Sequence, residues 1–381
     1  CERKIYMKTN RFMFLIVLFA CVITVLSGCF PSADYNNRID DKNLYNTNDN
    51  NESHIIKELD YISVDADITY PQNSSFDIYN VKMTDFDFDK LKSIFISKTQ
   101  NITVTEENET EYPGYVAHIA HSDYENLGVY RDFFEYTTTE YDDLSFFLSS
   151  QDFPVGFYGM SNCFQKEKLD SIDKDISLDI VIDKIDELNL PVDKIPEIYA
   201  LDYESLNNRS KSLYTDEEYN EMNMKYKFTE KDEAYLFVFH SKTNSLEHYD
   251  RYVSVFQDGI PTYGGEVYAV VNSNGLIMFS AYGMYDIQET VTENKKIISV
   301  DTVLDIVNNK YKNIKSDVVV KSVTPYYFPV KENSTAEKAE LTPTWVVKTN
   351  EQIEEQGEKG NMLINDNEYY IIDAITGKVI L

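Results

Sequence analysis

The sequence predicts an α+β fold in which an amphipathic helix packs on an antiparallel sheet, and it predicts this unit twice in series. The first observation is a repeated octet, because residues 176–183 and 298–305 share Ile, Ser, Asp, Val and Asp at matching positions. The second is the series of short alternating segments that follows each octet, as half-buried antiparallel strands require. The third is the hairpin signal Asn274-Gly275 between two apolar segments, since tight hairpin turns need positive φ.

These patterns divide the chain into a leader, a tether and three folded segments. A chain of 381 residues is long enough for two or three domains. The predicted segments are 1–28, a signal peptide with an upstream extension; 29–55, a lipidated flexible tether; 56–165, an N-terminal α+β domain; 166–292, a middle helix-plus-antiparallel-sheet module; and 293–381, a C-terminal module.

The N-terminal segment has the parts of a secretory signal. After a basic start, fifteen residues at 12–26 are apolar except for one threonine, whereas a membrane-spanning helix needs about 20 apolar residues. The tetrapeptide Leu26-Ser27-Gly28-Cys29 that follows resembles the lipobox of bacterial lipoproteins. That resemblance implies lipidation of Cys29 and a protein anchored on the extracytoplasmic face of the membrane. An uncleaved signal anchor with an incidental cysteine is the alternative.

The charge of the chain limits its partners. The sequence has 35 basic and 65 acidic residues, a formal net charge of −30. Residues 1–28 hold four of the basic residues and one of the acidic ones, so the remainder carries −33. Nucleic acids and anionic membrane surfaces both attract basic patches, so we expect neither as a direct partner of the folded part. The Asn- and Asp-rich stretch 30–52 predicts a disordered tether that holds the acidic part away from the lipid.

The cysteines predict a fold without disulfides. Two of the four cysteines lie upstream of the predicted cleavage and Cys29 would carry lipid, which leaves Cys163. One thiol cannot form an intramolecular disulfide, so the hydrophobic core must stabilise the fold. Cys163 is either a small hydrophobic residue in a packed region or a reactive nucleophile.

Residues 56–165 alternate between strand and helix patterns. The segment 62–68 alternates with period two, as a half-buried strand does. Thr84 is placed to cap a helix that runs to about residue 96. Segments 115–119 and 133–137 are further strand candidates.

Each octet predicts a helix that begins at a serine. Ser177 and Ser299 occupy predicted N-cap positions, and an aspartate follows in the favourable first turn of each helix. Residues expected to face the sheets are Val181, Ile182 and Ile185 in the first helix and Val303, Leu304 and Val307 in the second.

The C-terminal half carries fold motifs of a known kind. Leu341-Thr-Pro-Thr-Trp345 and the closing Asp373-Ala-Ile-Thr-Gly377 resemble the Pro-x-Trp strand and final hairpin of PepSY-type domains. Residues 253–266 are similar to the propeptide of thermolysin-like proteases and to the YycH and YycI regulators of an envelope sensor kinase. The resemblance implies a binding or regulatory module for another envelope protein, a protease or a sensor. Trp345 is either a core residue or, if exposed, the first choice for a partner contact.

The sequence contains little that indicates catalysis. It has no HExxH, no G-x-S-x-G, no P-loop and no G-x-G-x-x-G motif. His118 and His121 would point to opposite faces of one strand, which does not favour a zinc site. The stretch from Asp85 to Asp89 imitates the start of an EF-hand loop but lacks its glycine and its final glutamate. We therefore expect no catalytic centre, metal or cofactor; the alternative is an extracytoplasmic hydrolase with an unrecognised site in residues 56–165.

Overall fold

The computed structural model describes residues 52–96, 101–109, 114–148, 163–222, 225–249, 265–314, 317–333, 336–357 and 360–381. Cys29, the predicted signal peptide and residues 29–51 of the predicted tether lie outside the described residues. The predicted end of the tether at residue 55 is wrong, because residues 52–55 belong to the strand Glu52–Glu58. The fold is α+β and its sheets are mostly antiparallel, as the sequence predicts. None of the helices in the described ranges is both long and apolar enough to cross a membrane.

The described elements follow one another in this order along the chain. The strands are β1 (Glu52–Glu58), β2 (Ser63–Thr69), β3 (Ser75–Met83), β4 (Thr103–Asn108), β5 (Val116–His121), β6 (Glu125–Val129), β7 (Phe133–Thr138), β8 (Glu197–Leu201), β9 (Ala234–His240), β10 (Lys242–Thr243), β11 (Leu246–Glu247), β12 (Glu266–Asn272), β13 (Gly275–Tyr282), β14 (Tyr285–Lys296), β15 (Val318–Lys331), β16 (Lys338–Gly357) and β17 (Gly360–Asp373). The helices are α1 (Phe88–Phe95), α2 (Thr139–Leu148), α3 (Lys174–Leu188), α4 (Tyr203–Leu213), α5 (Asp216–Met222) and α6 (Val300–Lys310), with a 3₁₀ turn at Glu230–Asp232.

Two large sheets organise these strands. The eight-stranded sheet has the order β4-β5-β6-β7-β13-β12-β9-β8. The seven-stranded sheet has the order β1-β2-β15-β16-β3-β14, and β17 pairs with β16 beyond the end of β3. The β15–β2 pair is parallel, whereas every other strand pair described is antiparallel. A small hairpin, β10–β11, leaves the eight-stranded sheet and contacts β15 of the other sheet.

The predicted domain boundaries do not separate these two sheets. Strands β1 to β3 join the C-terminal strands in the seven-stranded sheet, while β4 to β7 join the middle strands in the eight-stranded sheet. Residues 56–165 are therefore divided between both sheets rather than forming a sheet of their own. Hydrophobic alternation identifies a strand and its buried face, but it does not identify the distant strand with which it pairs.

Helix α6 packs on the seven-stranded sheet as predicted. Ser299 caps it by accepting a hydrogen bond from the Thr302 N–H. Val303, Leu304 and Val307 are fully buried against the strands, which confirms the predicted inward face.

Helix α3 packs on the eight-stranded sheet, but its predicted cap is wrong. Val181 and Ile185 are buried, and Ile182 is half-buried at the edge of the contact. The helix begins at Lys174, and Asp173 is the N-cap because its carboxylate accepts two backbone N–H bonds. Ser177 lies inside the first turn, where its hydroxyl donates to the Asp173 carbonyl.

Two other local predictions differ from the structure by a few residues. Helix α1 is capped by Asp87 and not by Thr84, since the Asp87 carboxylate accepts from the Lys90 N–H at 2.9 Å. The predicted hairpin joins β12 to β13, and Gly275 has a φ of +115° there. Its turn is centred one residue earlier than the Asn-Gly pair, because Asn272 pairs with Gly275 across the ladder, and the Asn272 side chain accepts from the Asn274 N–H.

Candidate functional site

Trp345 belongs to the core. Its side chain is fully buried between β16 and α6, and its indole N–H donates to the Ile298 carbonyl at 3.1 Å. A side chain in this position cannot be the exposed partner contact that the sequence left open. The strand that carries it is an interior strand of the sheet, and α6 covers the face on which it lies.

Cys163 lies at the edge of the core under the helices α2 and α4. It is half-buried, and the guanidinium of Arg209 approaches its sulfur at 3.7 Å. Leu206 and Phe228 belong to the same apolar cluster. The thiol is free, as the cysteine count predicts.

His118 and His121 lie on opposite faces of β5, as their spacing predicts. His118 pairs with Glu106 across the ladder, and its Nδ1 lies 3.5 Å from a Glu106 carboxylate oxygen. Its ring also packs 5.3 Å from the ring of Phe88 on α1. His121 lies opposite Thr103 and is exposed.

The face that carries His118 opens into a groove that we call the acidic groove. It has a volume of about 580 Å³ and lies between α1 with its preceding loop and the β4–β5 hairpin. Its lining holds four carboxylates, one ammonium group, one imidazole and two apolar side chains. The lining residues are Asp85, Asp87, Phe88, Asp89, Lys92, Val104, Glu106 and His118.

The positive charge in the acidic groove is largely compensated within it. The ammonium of Lys92 bonds to the Asp89 carboxylate at 2.9 Å and lies 5.0 Å from the centre of the Phe88 ring. Asp85 and Glu106 then contribute a negative field that Lys92 does not cancel. The groove therefore favours a cationic group, with an aromatic wall on which its aliphatic part can pack.

Strand β4 forms one wall of this groove and is the terminal strand of the eight-stranded sheet. Five of its six residues are exposed, including Val104 at 48%. Ile102 and Val116 add further exposed apolar surface to the same hairpin. Exposed apolar side chains beside the open edge of a terminal strand are typical of protein interaction sites.

A second polar cluster lies on the opposite face of the same sheet. The Nδ1 of His240 lies 3.3 Å from a Glu266 carboxylate oxygen, and its Nε2 lies 3.6 Å from one of Glu197. The Tyr268 hydroxyl donates to Glu266. On β7 the Glu135 carboxylate accepts from the Tyr282 hydroxyl at 3.1 Å, and desolvation raises the pKa of Glu135.

The sequence alone does not indicate a partner for His240, because Glu266 lies on a strand that follows a long connection. The cross-strand pair of His240 and Glu266 becomes visible only once β9 and β12 are paired.

Neither cluster has the arrangement of a metal centre. Within the described ranges, no group of three or more His, Cys, Asp or Glu side chains is placed to hold a metal ion. The two clusters therefore offer hydrogen bonds and negative charge, and in His118 and His240 they offer bases next to carboxylates.

Comparisons with known proteins show the fold of this chain. No family model matches it, and no curated protein matches it. A crystal structure of an uncharacterized protein from Eubacterium rectale ATCC 33656 is similar, with a TM-score of 0.60 and 15% sequence identity. The match covers 87% of this chain and 93% of that one, so it extends over both sheets. At this identity the likeness concerns the architecture alone.

Proposed function

We propose that this protein is a lipid-anchored, non-catalytic binding module on the extracytoplasmic face of the membrane, acting on another envelope protein. The observation that carries the proposal is the exposed edge strand β4 beside the acidic groove. An open strand edge binds a partner through backbone hydrogen bonds, and a groove beside it selects side chains. The lipobox-like Leu26-Ser27-Gly28-Cys29 and the PepSY-like motifs support the same proposal from the sequence.

The binding surface lies in the eight-stranded sheet and not in the C-terminal segment. Trp345 is buried, so the C-terminal segment loses the anchor that its sequence offered. Deleting residues 298–381 would remove three strands from the seven-stranded sheet and would test folding rather than contact. Point changes on β4 are therefore the better test.

The test uses the full-length protein in its own envelope. A photo-reactive residue at position 104 or 107, on either face of β4, should cross-link to an envelope protein, whereas one at exposed position 195 should not. Cys29→Ser should reduce the cross-link, because the unanchored protein leaves the membrane surface. Absence of any β4-specific cross-link would contradict the proposal.

The alternative is an extracytoplasmic hydrolase with its site in residues 56–165. A specific observation favours it, since the acidic groove brings His118 next to Glu106 and close to three aspartates from that segment. General acid–base catalysis uses a base positioned in a cavity, and a neighbouring carboxylate can orient a histidine for that role. Hydrolysis of peptide or glycan substrates by the purified protein, lost in His118→Ala and retained in His121→Ala, would favour the enzyme over the binding module.

A further inference from the structure

Within the described ranges, the backbone of β4 has one hydrogen-bonding edge that faces away from β5 and pairs with no strand. The Glu109 N–H donates to the Tyr115 carbonyl, in the same register that pairs Thr105 with Ile119. Because hydrogen-bonded pairs alternate in an antiparallel ladder, the N–H and C=O groups of Val104, Glu106 and Asn108 point away from β5. No other described strand pairs with this side of β4.

Of the devices that normally protect an edge strand, β4 has only acidic side chains, Glu106 and Glu107, and these do not repel a cationic partner. Its register with β5 has no bulge, and its sequence Thr-Val-Thr-Glu-Glu-Asn contains neither lysine nor proline. The edge strand β14 of the other sheet differs, because its pairing with β3 is interrupted by three register shifts. The edge strand β1 carries Lys57, and the end of β17 is covered by the bridge between Ile372 and Val379.

The side chains of β4 divide between two faces with different surroundings. Val104 and Glu106 line the acidic groove, as their pairing with Ala120 and His118 requires. Thr105 and Glu107 lie on the opposite face. A strand added to β4 would likewise place alternate side chains over the groove, because the side-chain period of a strand is two.

The charge of the groove selects the chemistry of that strand. Glu106 lies at the middle of the edge, with Asp85 and Asp87 on the far wall. A second copy of this chain would bring its own Glu106 and Glu107 close to these carboxylates, which like-charge repulsion disfavours. Lysine or arginine at alternate positions would instead place cations among the carboxylates and their stems against Phe88.

From this geometry we propose that β4 accepts an extended cationic segment, with Lys or Arg at alternate positions, as a ninth strand of the eight-stranded sheet. The inference deepens the proposed function and rests on it, since it names the part of the envelope partner that is bound. Backbone pairing over the six residues of β4 provides affinity, and the acidic groove provides selectivity.

The test measures binding of labelled ten-residue peptides to the full-length protein in neutral detergent by fluorescence anisotropy. The probes are a peptide of alternating Lys and Val, one of alternating Glu and Val, and one with the same Lys and Val content in two blocks. We expect the alternating Lys peptide to bind at least about tenfold more tightly than the other two, with an affinity that falls as salt rises.

Matched variants separate the contribution of backbone hydrogen bonds to peptide binding from the contribution of the acidic side chains. Val104→Pro removes an outward N–H without removing a bond to β5, so it should lower the affinity for the alternating Lys peptide about tenfold. Val104→Thr keeps the N–H and should change that affinity by less than about threefold. Glu106→Gln should weaken binding about fivefold, and Glu107→Gln, on the other face, by less than about twofold. Asn108→Pro replaces Val104→Pro if the latter lowers the unfolding free energy by more than the Val104→Thr control.

Two results would overturn the inference. One is equal binding of the Lys and Glu peptides, or no binding of the Lys peptide. The other is unchanged affinity in both proline variants. A partner that cross-links to the protein in the envelope while these peptides fail would leave the proposed function standing and remove only the β4 mode of contact.

Discussion

His248 makes the stability of this protein depend on pH in a way that can be worked out in advance. It follows the β10–β11 hairpin and is 5% exposed, with its backbone N–H donating to the Ser241 carbonyl at 2.8 Å. Its Nε2 lies 2.9 Å from the Thr243 hydroxyl, and its ring packs edge-on against Tyr327 of β15. Burial lowers the pKa of the imidazole from 6.5 to about 4.

The sign follows from linkage. In the unfolded chain the imidazole of His248 is protonated near pH 6.5, whereas in the folded chain it stays neutral down to about pH 4. The contribution of neutral His248 to the free energy of unfolding is therefore complete above pH 6.5 and is lost as the pH falls toward 4. With these two pKa values, the free energy of unfolding should fall by about 2 kcal/mol between pH 7 and pH 5 and by about 3 kcal/mol at pH 4. The range from pH 7 to pH 5 is the informative one, because most carboxylates stay ionised there.

The assay is urea unfolding followed by circular dichroism at pH 7, 6 and 5. His248→Gln should lose the fall of about 2 kcal/mol between pH 7 and pH 5, whatever its stability at pH 7. The matched control is exposed His54, whose pKa is raised by hydrogen bonds to Asp67 and Asp65, so His54→Gln should change the slope in the opposite direction. An identical pH slope in wild type and His248→Gln would refute the assignment of this histidine as buried and neutral.

Three further predictions concern the core, the helix caps and the anchor. Trp345→Ala should lower the free energy of unfolding by about 3–5 kcal/mol, because it empties a fully buried site and removes the indole N–H that donates to the Ile298 carbonyl. A loss below about 1 kcal/mol would contradict the burial of Trp345. Asp173→Ala and Ser299→Ala should each cost about 1 kcal/mol in urea unfolding, as expected for an N-cap, and equal stability of Asp173→Ala and wild type would show that α3 is capped elsewhere. Cys29→Ser should move the protein from the membrane fraction to the medium, and mass spectrometry of the wild type should find a diacylglyceryl group on Cys29.

The sequence by itself determined the fold class and many of the local elements. Period-two alternation and helical spacing are properties of neighbouring residues, so they identified β2, α6 and the buried face of each octet helix without knowledge of the rest. Helix caps were harder to place. Ser177 and Asp173 are both good caps, and the helix begins at the one whose carboxylate satisfies two backbone N–H groups.

The tertiary structure decided which strands meet and therefore where a site can exist. The acidic groove joins the loop before α1 to β4 and β5, and His240 meets Glu266 only through the pairing of β9 with β12. The pairing of β1 to β3 with C-terminal strands and of β4 to β7 with middle strands divides residues 56–165 between two sheets, and Trp345 is enclosed by the first of these sheets and α6. Strand alternation records only which face of a strand is buried, whereas the choice of partner depends on the summed packing of side chains that are distant in the chain.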